Sequence, residues 1–112
     1  MKIKTKESGE ISIIELKGNV LGGPDATALN DLVHKLVDNK RKKIIVDISG
    51  VQTMNSSGLS MLIGALTTIR NAGGDMKISG PSKKIESLLV ITKLTKVFEI
   101  YPTLRKAIGS FT

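Results

Sequence analysis

The pattern of hydrophobic and polar residues in the first half of the chain predicts a hairpin, a helix and a buried strand. Residues 2–7 and 10–17 are rich in apolar and β-branched positions around Ser8-Gly9, as expected for two strands joined by a turn. Over 24–39 the apolar residues recur every three or four positions, which indicates an amphipathic helix. The β-branched run 44–46 is typical of a central strand covered on both faces.

The second half continues the alternation of strands and helices. A polar loop is expected over 48–54, followed by a helix over 56–72 whose apolar residues lie along one stripe. A strand near 76–80 leads to a third helix capped by Ser82, and 97–100 forms a last short strand before a terminal helix. This order predicts an α/β domain with a mixed sheet of about four or five strands and about four helices.

The length of 112 residues, 40% of them hydrophobic, fits one domain over 1–112 with a single core. The apolar positions of the predicted elements define that core. We expect it to contain nine residues: Leu29, Leu32, Val33, Leu36, Ile45, Leu59, Leu62, Ile63 and Leu66.

The charge is strongly basic, with 17 Lys and Arg against 10 Asp and Glu and a formal net charge of +7. Such a charge favours anionic partners in general through long-range attraction. Direct binding of nucleic acid is not expected, because only Phe98, Tyr101 and Phe111 are available to stack on bases. Most lysines are therefore interpreted as solvated surface, and an acidic protein partner remains open.

Catalytic and metal-binding chemistry has little support. Cysteine is absent and His34, the one histidine, lies off the apolar stripe of its helix without a partner motif, so we predict no enzyme, no metal site and no cofactor. The absence of cysteine is compatible with a reducing compartment. Charges interrupt the apolar runs of residues 1–20, and charge or glycine breaks every other apolar stretch. Neither a signal peptide nor membrane insertion is therefore expected, and the cytoplasm is the predicted location.

The segment 47–59 differs from the rest because a buried strand delivers several polar residues directly to the start of a helix. Asn55 or Ser56 can cap the free N–H groups of that helix, and Asp47 can bond N–H groups beyond its strand. We expect a partner-binding surface made of Thr53, Asn55, Ser56, Ser57 and Gly58, with Asp47 and Ser49 as structural residues of the loop.

The order Asp47-Ile48-Ser49, five residues, then Asn55-Ser56-Ser57-Gly58-Leu59 resembles the signature of the STAS family, specifically its anti-anti-sigma factors. The resemblance extends over nearly the whole chain. It implies that Ser56 is the residue phosphorylated by an anti-sigma kinase. Asn55 stands where the family usually has aspartate, which keeps the capping role but removes a negative charge beside the hydroxyl.

The resemblance implies that the unphosphorylated protein binds an anti-sigma factor, itself a serine kinase, and thereby releases a sigma factor. A phosphatase would reset the switch. The alternative is a STAS-like accessory subunit of a membrane transporter, which would bind a membrane-associated ATPase through the same surface. Nucleic-acid binding, suggested by the charge alone, is the third hypothesis.

Gly58 lies in the first turn of the predicted helix, where glycine is a poor helix former by about 1 kcal/mol relative to alanine. We expect the missing side chain to let a partner approach closely. On that interpretation, Gly58→Ala stabilises the free protein while weakening partner binding.

Overall fold

The strands and helices alternate as predicted in the computed structural model, which describes all residues, Met1–Thr112. The five strands are β1 (Lys2–Ser8), β2 (Ile11–Val20), β3 (Lys43–Met54), β4 (Asp75–Ser79) and β5 (Glu99–Tyr101). The four helices are α1 (Pro24–Asp38), α2 (Ser56–Asn71), α3 (Lys83–Ile91) and α4 (Leu104–Ser110), with a 3₁₀ turn at Leu94–Lys96. The α/β fold class, the mixed sheet and the number of helices are confirmed.

The sheet keeps its strands in chain order from β1 to β5. β1 and β2 are antiparallel and the other neighbours are parallel, because each later strand is reached through a helical crossover. β1 and β2 are joined by a tight turn in which Gly9 adopts a positive φ of 60°, a conformation that favours glycine. Ile44, Ile45 and Val46 in the middle strand are fully buried, as their β-branched run predicts.

Two hydrophobic clusters cover the two faces of the sheet. The larger one joins one face to α1, α2 and α3, and the smaller one packs α4 on Ile11, Ile13 and Ile45 of the opposite face. Six of the nine predicted core residues are buried, whereas Leu32, Leu36 and Ile63 are half-buried at the margin of the larger cluster. No helix has the length and the hydropathy needed to cross a membrane.

The prediction of a loop over 48–54 is wrong, because β3 continues to Met54. It remains paired with β2 as far as Val20, through two shifts of register that follow Glu15 and Gly18. Such irregularities let two strands stay hydrogen-bonded although their alternation is interrupted. Asp47 and Ser49 therefore lie within a strand. The last strand is also later and shorter than predicted, since the 3₁₀ turn occupies part of the approach to Glu99.

The first turn of α2 lies directly against the end of β2. A Cβ atom on Gly58 would overlap the carbonyl oxygen of Val20 and would lie 2.9 Å from the carbonyl carbon. A second close approach involves Gly22, whose added Cβ would lie 2.6 Å from Cβ of Ser57 and whose φ is +84°. These two glycines let the helix start and the loop after β2 come together.

The burial of the core predicts a large difference between two apolar truncations. Leu62→Ala removes a side chain with no exposed surface and should lower the free energy of unfolding by about 2–5 kcal/mol. Ile91→Ala is the control, because Ile91 is 77% exposed and its truncation should change stability by less than about 0.5 kcal/mol. Urea denaturation measures both, and similar losses would contradict the assigned core.

The contact at Gly58 reverses the expected effect of Gly58→Ala on stability. Overpacking typically costs about 1–3 kcal/mol, and here the clash is with main-chain atoms, which cannot rotate away. We now expect Gly58→Ala to destabilise the protein by at least about 1 kcal/mol despite the better helix propensity of alanine.

Gly64→Ala is a matched control within the same helix. Gly64 is exposed and an added Cβ meets no atom within 4 Å, so this change should stabilise the protein by about 0.5–1 kcal/mol. Thermal and urea denaturation of the two variants would decide the matter. A stabilised Gly58→Ala variant would show that the junction between α2 and β2 is looser than described here.

Candidate functional site

The candidate site lies where β3 ends and α2 begins, at the carboxyl edge of the parallel strands. Asn55 is the one residue between Met54, the last of β3, and Ser56, the first of α2. In open α/β sheets this edge is the usual place for binding residues, because loops there project beyond a rigid scaffold. The short connection fixes the helix start relative to the sheet.

Asn55, one of the two residues predicted as candidates, is the cap of α2. Its backbone is extended, with φ −108° and ψ −176°, and Oδ1 accepts a 2.8 Å hydrogen bond from the N–H of Gly58. The carbonyl oxygen of Asn55 accepts the next bond, 2.9 Å from the N–H of Leu59. An aspartate could accept the same bond, so the difference from the usual family motif leaves the cap in place while removing the charge.

Ser56 and Ser57 are exposed at the first two positions of the helix, whereas Gly58 is buried beneath them. The close approach that Gly58 permits is therefore made by Val20 of the same chain. This corrects the expectation that the glycine offers its own surface to a partner. Its contribution is to hold the two serines in position.

A shallow cavity of about 420 Å³ borders the two serines, and we call it the Ser56 shelf. No charged side chain lines it. Its lining residues are Gly22, Gly23, Ala26, Ser56, Ser57, Ser60 and Met61. Gly22 and Gly23 belong to the loop after β2, so the shelf joins two segments that are distant in sequence, and no local pattern indicated that they meet.

Thr53 lies near the end of β3 and is half-buried. Its Oγ1 donates a 2.8 Å hydrogen bond to Oδ1 of Asn19 on β2. This bond joins the ends of the two strands just before the helix begins. Asn19 was not identified from the sequence, because only the register between parallel strands brings it beside Thr53.

Asp47 organises a separate part of the same edge. Oδ1 accepts hydrogen bonds from the N–H of Ser49 at 3.1 Å and from Oγ of Ser79 at 3.3 Å, and Oδ2 accepts one from Oγ of Ser49 at 3.3 Å. Gly80 packs against this group, since a Cβ there would lie 2.9 Å from Cβ of Ser49. Ser79 and Gly80 come from β4 and the residue after it, so no pattern near Asp47 in the sequence indicated them.

His34 is exposed on α1, and no three His, Cys, Asp or Glu side chains are grouped as metal ligands would be. The polar groups at the edge of the sheet are a helix cap, two exposed hydroxyls and hydrogen bonds within the chain. This arrangement presents a small, neutral, hydroxyl-bearing surface on a rigid helix start.

Comparison with known proteins identifies relatives of this chain. A Thermotoga maritima protein named as a candidate anti-sigma factor antagonist is 31% identical over 65 residues. That match covers 58% of this chain and 58% of the relative, so the aligned segment spans little more than half the length of the relative.

Two solved structures share the fold. The structure of a candidate anti-sigma factor antagonist from Thermotoga maritima has a TM-score of 0.86 at 22% identity, and it covers 96% of this chain and 92% of that one. The phosphorylated form of SpoIIAA, a Bacillus cell fate determinant, has a TM-score of 0.76 at 16% identity over 99% of this chain and all of that one, 100%.

A family model identifies the domain family of the chain. The STAS domain model matches residues 2–107, which is nearly the entire chain. The chain belongs to the STAS domain family.

Proposed function

We propose that this protein is an anti-sigma factor antagonist, a protein-binding switch of the cytoplasm that performs no chemistry of its own. In this proposal the unphosphorylated protein binds an anti-sigma factor and so releases a sigma factor. The observation that carries it is the exposure of Ser56 at the first position of α2, beside a neutral shelf and above a helix start fixed to the sheet. The relative in Thermotoga maritima supports the same role.

The partner surface in this proposal consists of Ser56 and Ser57, with Asn55 and Thr53 beside them and the shelf adjoining. The hydroxyls can donate and accept hydrogen bonds, and the small side chains permit close contact with another backbone. Gly58 supports the surface from below through its contact with Val20.

Phosphorylation of Ser56 by the anti-sigma factor acting as a kinase would switch the protein off, and a phosphatase would restore it. A phosphate adds about −1.5 to −2 charges at the amino end of α2, where the helix dipole favours an anion. The site is exposed and the shelf carries no acidic side chain, so the fold tolerates the group. Inhibition then arises in the complex, where the phosphate would lose water and press against the partner.

Charge at residue 56 should therefore weaken binding without unfolding the domain. We expect Ser56→Asp to raise the dissociation constant for the anti-sigma factor at least about tenfold, equivalent to about 1.4 kcal/mol. Its melting temperature should stay within about 4 °C of wild type, because exposed substitutions usually change stability by less than about 0.5 kcal/mol. Calorimetric titration and thermal melts measure the two quantities.

Ser87→Asp is the control. Ser87 is exposed on α3, so this substitution adds the same charge on a different helix. It should change affinity less than about twofold. The Ser56→Ala variant should still bind the anti-sigma factor but should no longer be phosphorylated. The Ser57→Ala variant should still be phosphorylated.

A pull-down from native cells with wild type, Ser56→Ala and Ser56→Asp identifies the partner. Recovery of an anti-sigma factor by the first two variants and not the third supports the proposal. Recovery of a transporter ATPase instead would favour the accessory-subunit alternative. Equal affinity for Ser56→Asp and wild type would contradict the proposed switch.

A further inference from the structure

The edge strand β1 carries an unusual concentration of lysine on one face. Lys2, Lys4 and Lys6 occupy alternate positions and all are exposed, so their side chains point to the same side of the sheet. This is the face that α4 covers at Ile11, Ile13 and Ile45. We call the three residues the β1 lysine row.

The partners of the row on β2 do not neutralise it. Lys2 lies opposite Lys17, Lys4 opposite Glu15 and Lys6 opposite Ile13 in the antiparallel ladder. Glu15 is engaged by Lys6, with 2.8 Å between Nζ and Oε1. Four lysines therefore share this face of the two strands with one carboxylate, Glu15, and Asp47 of β3 lies beside Glu15 in the next ladder. Like charges directly opposite each other in a ladder are destabilising, so the Lys2–Lys17 pair is a local cost to the free protein.

The electrostatics of Glu15 agree with this geometry. The hydrogen bond from Lys6 is the main cause that lowers the pKa of Glu15, and the charges of Lys17 and Lys4 lower it further. Both neighbours thus lie close enough to act on that carboxylate. An anion placed above the row would meet the same attraction.

The backbone of β1 also has a free side. β1 has β2 as its one neighbour in the sheet, and no backbone group of Lys2–Ser8 bonds to any other segment. The outward N–H and C=O groups are therefore available to another strand, which is how extended peptides bind sheet edges. Lysines often protect such edges from aggregation, but Lys17 lies on the inner strand β2, where protection of the edge does not require it.

We propose that β1 binds an extended acidic segment of a partner protein as an additional strand, with carboxylates at every second position facing the β1 lysine row. These carboxylates then lie beside the row on the side of β1 away from β2, where they offset the repulsion between Lys2 and Lys17. A peptide fits better than nucleic acid, because it can pair with the free backbone groups, and neither β1 nor β2 has an aromatic side chain on which a base could stack.

The test uses a blocked peptide with glutamate at every second position, and an isomer with the same residues but the glutamates in one block. Each peptide is titrated into the full chain at low ionic strength, and the NMR spectra recorded during the titration give the dissociation constants. We expect the alternating peptide to bind more tightly than its isomer, because only alternation places every carboxylate on one face. Exchange of the β1 amide hydrogens should also slow on binding, since outward N–H groups become hydrogen-bonded.

A double variant with Lys2→Gln and Lys4→Gln in one chain removes two charges of the β1 lysine row. It should raise the dissociation constant of the alternating peptide about fivefold or more. The control pair is Lys83→Gln with Lys84→Gln, which removes two exposed charges from α3 and should change it less than about twofold. Native spectra of both variants establish that they fold.

Several outcomes would overturn the proposal. Equal weakening by the two variant pairs would show general attraction to the net charge, and equal binding of the two peptides would show that alternation is irrelevant. Unchanged exchange of the β1 amides would exclude strand addition. Tighter binding of a single-stranded oligonucleotide or of anionic vesicles, with the same dependence on Lys2 and Lys4, would assign the row to nucleic acid or to a membrane surface.

Discussion

The contact between Gly58 and the carbonyl oxygen of Val20 is the constraint on which the site depends. It brings the first turn of α2 against the end of β2, at a place where any side chain would push the two apart. Asn55 can then cap the helix while its own N–H approaches the same carbonyl oxygen at 3.4 Å. The exposed serines owe their fixed position to these main-chain contacts, because their own side chains project into solvent.

In the proposed switch, this arrangement separates folding from regulation. The groups that hold the helix start are the buried Gly58, the carbonyl oxygen of Val20 and the side-chain cap of Asn55. The group proposed to change its charge is a hydroxyl above them, in surroundings without a charged side chain. Because few interactions of the free protein involve that hydroxyl, its modification can change the affinity for a partner while leaving the stability of the fold nearly unchanged. A small domain with limited stability benefits from such a separation.

The features that follow from local pattern could be predicted from the sequence. The buried run 44–46, the helix over Ser56–Asn71 and the cap at Asn55 depend on neighbouring residues, and all are present. The full length of β3 could not be predicted, because Ser49, Gly50 and Gln52 interrupt the apolar alternation while pairing with β2 continues across the shifts of register.

Other features depend on segments that the fold brings together. The missing side chain of Gly58 was expected to leave room for a partner, yet Val20 of the same chain occupies that room. Val20 lies some forty residues earlier, roughly the length of one strand–helix–strand unit. Asn19 beside Thr53 and Ser79 beside Asp47 arise from parallel pairing in the same way. The β1 lysine row was counted as solvated surface, and only the ladder register shows Lys2 opposite Lys17. Sequence pattern identifies the serine, whereas tertiary contacts explain how it is held.

The most direct test of the account uses protein carrying phosphoserine at position 56 in every molecule. Its free energy of unfolding and its affinity for the anti-sigma factor should be measured on one preparation, beside the unmodified protein. The account predicts nearly unchanged stability together with binding weakened at least about tenfold. A collapse of stability on phosphorylation, or equal affinity in the two forms, would contradict it.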